Sequence, residues 1–290
     1  MSTRESTALT RELGEELKHR RLATGMKAHE LAVKMQWSPT KVSRVETGQR
    51  AIDEVDLVFY LAHCGAKKQD LDELLPLSRD VGRGFWLKER LRSLIFHESQ
   101  AAAHQQYEPL VVPGLLQTEE YARALIDPRL GQLEGASRVD VRMRRQRILH
   151  DEMRPIEAAF YIHEQVLHLP VGGNRVMNEQ LLQLMLLTGR PNLSIRIVPS
   201  TLGAHSFFGG PFVVFYYREH RPLVYQENGV SGLFIEDIEA VFQCQAMMTR
   251  LAQVAMDGEE SRVLLATMAN KYDRLDSDAP EDLAEEHLQQ

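Results

Sequence analysis

The segment from Trp37 to Arg50 reads WSPTKVSRVETGQR, and it decides the fold of the N-terminal part of this 290-residue chain. Ser38 followed by Pro39 is a start signal for a helix, because a serine hydroxyl caps free N–H groups and proline fits the first helical position. Gly48 ends that helix, and a shorter helix over residues 29–35 precedes it. Two short helices joined by a tight turn form the arrangement that places one helix in the major groove of DNA.

Three further helices are predicted around this pair. Apolar residues repeat every four positions from Leu9 to Leu17, so a long amphipathic helix is expected to end near Gly25. The fourth helix is predicted to turn inward the side chains of Ile52, Val55, Phe59 and Ala62. The fifth is marked by Leu71, Leu74 and Leu75 and closed by Pro76. The sequence thus predicts a domain of five short helices.

The charge is distributed unevenly along the chain. The whole sequence holds 34 Lys+Arg against 41 Asp+Glu, a net charge of −7, which taken alone argues against a polyanionic partner. Residues 1–50, however, hold ten basic and six acidic residues, giving +4, whereas residues 155–290 hold nine and eighteen, giving −9. Because charges act over about one Debye length, roughly 8 Å at physiological salt, the basic segment predicts a local polyanion-binding face.

The run Glu30-Leu31-Ala32 and the segment from Trp37 to Arg50 together resemble the helix-turn-helix of XRE and lambda-repressor-type regulators. The resemblance implies a lambda-repressor-like domain whose third helix docks on double-stranded DNA. Many relatives open the second helix with Gln, whereas Ala28 stands here, so their glutamine-based adenine readout is not implied. Because one helix reads only a few base pairs, we expect a homodimer on an inverted-repeat operator, with half-sites about 34 Å apart.

Seven side chains are candidates for DNA contact. Thr40 and Arg44 lie four residues apart on one helix face and are expected to read bases, Arg44 through the two acceptors of a guanine. Lys41 is next in line, for a base or a phosphate. The residues expected to bind phosphates, and so to fix position rather than sequence, are Lys27, Ser38, Gln49 and Arg50. The residues of the same helix expected to serve the fold are Val42, Val45 and Glu46.

Residues 79–84 contain two glycines and alternating charge, and they are the expected hinge between two domains. The first domain is predicted to span residues 1–80 and to bind DNA. The second is predicted to span residues 85–272 and to serve dimerisation, regulation and partner binding. Residues 273–290 are expected to form an acidic tail.

The second domain mixes two periodicities. Helices are predicted over about residues 87–105 and 136–150. Alternating apolar residues predict strands near 156–162 and 193–197, and residues 211–226 read as a hairpin. We therefore expect a mainly α protein with an α+β second domain, built as an antiparallel sheet flanked by helices.

The sequence contains no pattern typical of an enzyme. HExxH spacing, a phosphate loop, a dinucleotide fingerprint and a GxSxG elbow are all missing. Cys64 and Cys244 share no metal-ligand spacing and are expected to be buried and unpaired. The sequence therefore predicts a non-enzymatic protein without metal or cofactor. The lack of an 18-residue apolar run and of a signal-peptide core favours a cytoplasmic protein, nucleoid-associated when bound to DNA.

The segment from Tyr107 to Leu125 is similar to a motif of the actinobacterial WhiJ-like, or Scr-type antitoxin-like, regulator family, and so are Arg145–Leu149, Gly203–His205 and Gly210–Phe212. The resemblance covers about residues 10 to 272. It implies a repressor whose DNA binding responds to a small protein encoded nearby, in an antitoxin-like arrangement. The candidate partner or effector contacts are Val112, Pro113, Gly114, Gln117, His205, Phe207 and Phe208, with a purely structural role as the alternative.

A second interpretation of the C-terminal domain remains open. A one-component regulator would bind a small-molecule effector there, in a pocket lined by Phe207, Phe208, Phe212, Phe215 and Tyr217. Against this, an aromatic strand more often belongs to a hydrophobic core than to a pocket wall.

Overall fold

The computed structural model describes residues 6–78, 84–87, 90–130, 132–151, 153, 155–206, 209–227 and 232–277. Its contacts divide the chain into two compact units, Met1–Phe96 with Leu233–Ala240 and His97–Gly232 with Val241–Gln290. Most of the predicted hinge, residues 79–83, lies outside the described residues. The predicted domain limits at residues 80 and 85 therefore stay a prediction.

The described part of the chain is mainly helical, as predicted. The helices are α1 Ala8–Ala23, α2 Ala28–Lys34, α3 Pro39–Glu46, α4 Glu54–His63, α5 Lys68–Ser78, α6 Arg90–Gln100, α7 Glu119–Leu130, α8 Gln132–Arg145, α9 Asn174–Leu187, α10 Ile238–Val254 and α11 Gly258–Ser277. The strands are β1 Gly84–Leu87, β2 Ala103–Glu108, β3 Glu157–His163, β4 Leu193–Val198, β5 Phe212–Tyr216, β6 Leu223–Glu227 and β7 Gly232–Ile235. Short 3-10 helices include Gly114–Leu116 and Gln146–His150.

The first unit contains the five predicted helices, α1 to α5. α1 starts with a reciprocal cap, because the Thr7 N–H donates to the Thr10 hydroxyl at 2.8 Å and the Thr10 N–H donates back to the Thr7 hydroxyl at 3.2 Å. Its predicted stripe of Leu9, Leu13 and Leu17 is buried. The long first helix is therefore confirmed.

The inward face of α4 differs from the prediction. Val55 and Phe59 are 65% and 57% exposed, whereas Leu57, Tyr60 and Leu61 are fully buried. The helix carries apolar residues on more than one face, so the helical period alone does not select a face. The buried face is the one that carries the Tyr60 hydroxyl, whose oxygen lies 3.2 Å from the Leu17 carbonyl oxygen of α1.

The sheet of the second unit is mixed, which corrects the prediction of a purely antiparallel sheet, while the α+β class is confirmed. Its described strands follow the order β6-β5-β2-β3-β4. β2 pairs with β3 and β3 with β4 in parallel, whereas β2–β5 and the predicted hairpin β5–β6 are antiparallel. Parallel neighbours need a crossover connection, and α9 provides it between β3 and β4.

The sequence predicts a helix as far as about Gln105 and therefore misses the central strand β2. In the structure α6 ends at Gln100, and β2 begins at Ala103. The residues Ala101, Ala102 and Ala103 favour a helix, and β2 lacks the β-branched residues typical of strands. Its strand conformation depends on pairing with β3 and β5 on its two sides, and that information lies far away in the sequence.

A large hydrophobic cluster of the second unit lies on one face of this sheet. Phe160 of β3 and Ile195 of β4 are neighbours in the parallel register and are almost fully buried. Met177 and Leu181 of α9 and Leu265 of α11 belong to the same cluster. Gln106 of β2 is in register with Phe160, so the same face becomes polar where β2 crosses it.

The two cysteines, the C-terminal helix and the apolar character of the helices were also predicted from the sequence. Cys64 and Cys244 are buried and free, as predicted. α11 continues to Ser277, so the first residues of the predicted acidic tail are helical, while residues 278–290 lie outside the described part of the chain. Among the described helices, none combines the length and the apolar character needed to span a bilayer.

Candidate functional site

The turn between α2 and α3 sets the direction of the helix that is predicted to enter the groove. Gln36 adopts a left-handed conformation with φ of 53°. The Trp37 N–H donates to the Ala32 carbonyl oxygen at 2.8 Å. The Ser38 hydroxyl accepts from the Lys41 N–H at 3.1 Å, which caps α3 as predicted.

The C-terminal end of α3 is anchored to α1 and α4 through Glu46. The Arg21 Nε and Nη2 atoms donate to the two carboxylate oxygens of Glu46 at 2.7 and 2.8 Å. The Tyr60 hydroxyl donates to Glu46 Oε1 at 2.6 Å. Val42 and Val45 are buried beside this triad, as predicted. The predicted structural role of Glu46 is confirmed, and its partners fix the orientation of α3.

α1 also contacts the end of α3 through backbone atoms. A Cβ at Gly14 would lie 2.5 Å from the Val45 carbonyl oxygen and 2.8 Å from that of Glu46. Gly48 has φ of 67°, and a Cβ there would lie 2.5 Å from the Arg11 Cα. The two segments approach more closely than a side chain at either glycine permits.

The outer face of α3 is available for bases. Thr40 and Arg44 are both exposed. Within the described residues, the Arg44 guanidinium has no hydrogen-bond or ion-pair partner, so its five N–H donors are available. Ser43 and Thr47, which are not among the seven candidates, are exposed beside them at helical spacing. The geometry therefore brings the two predicted base readers together on one free surface.

The four predicted phosphate contacts, Lys27, Ser38, Gln49 and Arg50, are all exposed. The backbone N–H of Lys27 donates to Glu30 Oε2 at 2.7 Å, so the cap of α2 does not use the ammonium group of Lys27. The Arg50 N–H donates to the Arg44 carbonyl oxygen at 3.0 Å, which holds the chain after α3 close to the recognition helix. These residues flank α2 and α3, and their contact with DNA stays a prediction.

Lys41 differs from the other candidates because its ammonium group has partners. Lys41 Nζ lies 3.0 Å from Asp56 Oδ2 and 3.7 Å from the centre of the Trp37 ring. An ion pair and a cation–π contact both compete with a phosphate or a base for this ammonium. To bind DNA, the Lys41 ammonium group would have to give up its ion pair with Asp56. Of the seven candidates, Lys41 is therefore the one whose side chain is least available for DNA contact.

The predicted partner loop of the second unit is turned inward. Val112, Pro113 and Gln117 are buried, and Gly114 is half-buried. Gln117 Nε2 donates to the Val112 carbonyl oxygen at 2.7 Å, and Gln117 Oε1 accepts from Arg142 Nη1 at 2.8 Å. This placement disfavours contact with a protein partner and fits a structural or effector-binding role. The candidates outside the described residues or side chains are His205, Phe207 and Phe208.

The predicted aromatic pocket does not form a single wall. Phe212 and Phe215 are both buried, but they are three residues apart on β5 and therefore point to opposite faces of the sheet. Phe212 is in register with Tyr107 and Phe215 with His104. Both belong to the packed interior, which agrees with the core interpretation.

β2 instead carries a row of buried polar side chains, His104, Gln106 and Glu108. His104 Nε2 lies 3.1 Å from Gln106 Oε1, and Gln106 Nε2 donates to Glu108 Oε1 at 3.0 Å. The His104 ring lies between Phe160 and Phe215, with centroid distances of 5.3 and 5.5 Å. Its Nδ1 atom is buried and has no hydrogen-bond partner among the described residues. Burial lowers the pKa of His104 and raises the pKa of Glu108 to about 8, so the row is uncharged at neutral pH.

Glu108 makes the stability of the second unit depend on pH. Between the ordinary pKa of 4.5 and the raised value of about 8, the folded state keeps a proton that the unfolded state has lost. The free energy of unfolding should therefore fall as pH rises from 5 to 8, by up to about 1.4 kcal/mol per pH unit, and level off above that. We expect Glu108→Gln to remove this contribution, as measured by urea unfolding across that range. The exposed Glu119→Gln should keep the wild-type profile, and parallel profiles for wild type and Glu108→Gln would contradict the assignment.

Two arginines of α8 lie beside this row. Arg145 donates to Glu98 through Nε at 2.8 Å and through Nη2 at 2.5 Å, so the charge of Arg145 is paired. Arg142 is turned inward, and a Cβ at Gly114 would lie 3.3 Å from its Nη1. Burial lowers the pKa of Arg142. The sequence did not indicate that Arg142 lies beside the polar row, because β2, which carries that row, was not predicted.

No group of three or more His, Cys, Asp or Glu side chains in the described part of the chain could hold a metal ion. No curated protein matches the sequence. Among solved structures, the archaeal chromatin protein TrmBL2, whose structure is described as showing a novel mode of DNA binding, matches with 12% identity and a TM-score of 0.31. That match covers 71% of this chain and 72% of the TrmBL2 chain.

Two families match the sequence in consecutive segments. Residues 12–74 match the family described as Helix-turn-helix domain, which agrees with the geometry of α2 and α3 and supports DNA-binding transcription regulation by the first unit. Residues 91–267, more than half of the chain, match the family described as Domain of unknown function (DUF5753). The chain therefore belongs to the DUF5753 family, with a helix-turn-helix domain at its N-terminal end.

Proposed function

We propose that this protein is a sequence-specific transcriptional repressor of the XRE type, in which α3 enters the major groove. One observation carries the proposal: Thr40 and Arg44 are exposed on a helix whose orientation is fixed by the buried triad of Glu46, Arg21 and Tyr60. A fixed helix with a free guanidinium on its outer face has the geometry of direct base readout.

Replacing Arg44 tests this assignment. We expect Arg44→Ala to reduce the preference for an operator, selected from random duplex DNA, over unrelated DNA by about 1–3 kcal/mol, or roughly 5- to 150-fold. Fluorescence anisotropy at fixed salt measures both affinities. Lys68→Ala, which removes an exposed charge at the start of α5, serves as the matched control and should keep the preference. Equal discrimination by wild type and Arg44→Ala would exclude Arg44 as a base reader.

We also propose that the repressor binds as a homodimer to an inverted repeat. The support is the shortness of α3, which has eight residues and spans only a few base pairs. Footprinting should show two protected half-sites about 34 Å apart. Protection of a single half-site, together with a monomeric mass in light scattering, would refute dimeric binding.

For the regulatory input, we propose the WhiJ-like, antitoxin-like arrangement, in which a small protein encoded nearby binds the second unit. The support is the resemblance of the segment from Tyr107 to Leu125 and the charge of −9 on residues 155–290, which suits a basic partner. Co-purification of the full chain from its native extract should yield a stoichiometric small protein. Such a repressor acts in the cytoplasm, at the nucleoid.

A small-molecule effector is the second candidate for the input, and a specific observation favours it. The predicted partner side chains Val112 and Gln117 are buried, and Gln117 contacts Arg142 beside the polar row of β2. Small-molecule sites commonly combine a few convergent polar groups with apolar walls. A bound metabolite without a protein partner in the same co-purification would select this candidate.

A further inference from the structure

We infer that the second unit binds a small-molecule carboxylate, which pairs with Arg142 beside Glu108 and Gln117. The inference rests on the small-molecule form of the proposed function and names its ligand class and site. The three residues come from α8, from β2 and from the loop after β2, so the site is built from separate parts of the unit.

The guanidinium of Arg142 has no carboxylate of the described residues in direct contact, and Glu227, Glu108 and Glu98 act on its charge only from farther away. Its hydrogen bond to Gln117 Oε1 at 2.8 Å uses one of five N–H donors, and no carboxylate of the described residues lies within 4.0 Å. The neighbouring Arg145 shows what a compensated arginine looks like in the same helix, because Glu98 binds it through both carboxylate oxygens. A partly buried charge without a partner is costly, so a missing anion is expected at Arg142 and not at Arg145.

The surroundings of Arg142 are suited to one negative charge. Glu108 is uncharged at neutral pH because burial raises its pKa to about 8, so it does not repel an anion and can donate a hydrogen bond to it. The side chains of Gln106 and Gln117 add neutral amide groups. A carboxylate matches the planar fork of a guanidinium and carries one charge, whereas a phosphate dianion would leave a second charge unpaired.

Arg142 packs against the backbone of the loop after β2 and is still reached by solvent. Gly114 lies against the guanidinium, where a Cβ would come within 3.3 Å of Arg142 Nη1. Arg142 itself is half-buried, so an anion can reach it from solvent.

The first test needs no knowledge of the natural ligand. If Arg142 belongs to an anion site that is empty in the ligand-free full chain, Arg142→Met should raise the unfolding temperature of that chain by about 1–3 °C, because it removes an uncompensated charge. Arg145→Met should lower that temperature, because it leaves Glu98 buried without its partner. Arg144→Met, at an exposed position of the same helix, should change little. A fall in unfolding temperature for Arg142→Met as large as that for Arg145→Met would overturn the inference.

The second test supplies the anion. Sodium acetate and sodium propionate at 100 mM, against sodium chloride of equal ionic strength at pH 7, should raise the unfolding temperature of wild type by about 2 °C and leave Arg142→Met unchanged. An equal shift in both proteins, or no shift in wild type, would overturn the carboxylate site. A shift with sodium phosphate but not with the carboxylates would also overturn it, in favour of a dianion.

The variant Arg44→Ala separates this inference from the proposed function. It should keep the full shift with acetate while losing operator discrimination. If operator discrimination depends on Arg44 but no carboxylate shift is seen, the ligand site fails and the DNA-binding proposal stands. The reverse result would leave the ligand site and refute the base reader.

Discussion

We expect Arg21→Met to lower the stability of the helix-turn-helix domain by about 3–5 kcal/mol, because it leaves the Glu46 carboxylate buried without its cation. Arg21 and Glu46 side chains are only 7% and 6% exposed. Arg21 Nη1 also donates to the Met26 carbonyl oxygen at 2.7 Å, so the substitution removes a further hydrogen bond between α1 and the loop before α2. Hydrogen exchange of the α1 and α3 amides in the full chain, followed by mass spectrometry, measures the free energy of opening of this domain.

Two variants serve as controls for this result. Arg20→Met removes an arginine of the same helix that pairs with Glu16 and Asp70 but is 31% exposed, and it should cost about 1 kcal/mol or less. The double substitution Arg21→Met with Glu46→Gln should recover part of the loss, because no buried charge then remains unpaired. If Arg21→Met costs no more than Arg20→Met, the triad does not hold α3 in place.

The helix-turn-helix could be predicted from the sequence because its signals are local. The cap at Ser38 and the break at Gly48 each act within a few residues of their own position. The partners that anchor α3 are not local, since Arg21 and Tyr60 lie 25 and 14 residues from Glu46. The same distance explains the wrong face for α4, because Tyr60 is turned inward by a partner on another helix.

The second unit was harder to predict because its central strand depends on its neighbours. A run of alanines followed by His104, Gln105 and Gln106 has no intrinsic preference for a strand. β2 is the strand that pairs in parallel with β3 and antiparallel with β5, so a prediction without β2 cannot show that the sheet is mixed. It also cannot place the row of buried polar side chains, because β2 carries that row. The sequence therefore contains no indication of the candidate site around Arg142, whereas the spacing of Thr40 and Arg44 correctly predicted that they share an exposed face of α3.

The substitution Gly14→Ala should have a large effect of unusual sign. In the middle of an exposed helix, a glycine-to-alanine change stabilises by about 1 kcal/mol. Here the new Cβ would lie 2.5 Å from the Val45 carbonyl oxygen and 2.9 Å from the Gly48 nitrogen, and backbone atoms cannot move aside as a flexible side chain can. We expect a net loss of about 1–3 kcal/mol in the stability of the domain, as for an overpacked core.

The same substitution should also weaken DNA binding, because α1 can relieve the contact only by moving the end of α3. We expect the affinity for the selected operator to fall by about tenfold, equivalent to about 1.4 kcal/mol, in fluorescence anisotropy. Gly258→Ala is the matched control, since it lies at the start of α11 with no atom within 4 Å of the added Cβ, and it should leave operator affinity unchanged. If Gly14→Ala stabilised the domain and bound the operator normally, the backbone contact between α1 and α3 could not be what positions Arg44, and the triad of Glu46, Arg21 and Tyr60 would have to do so alone.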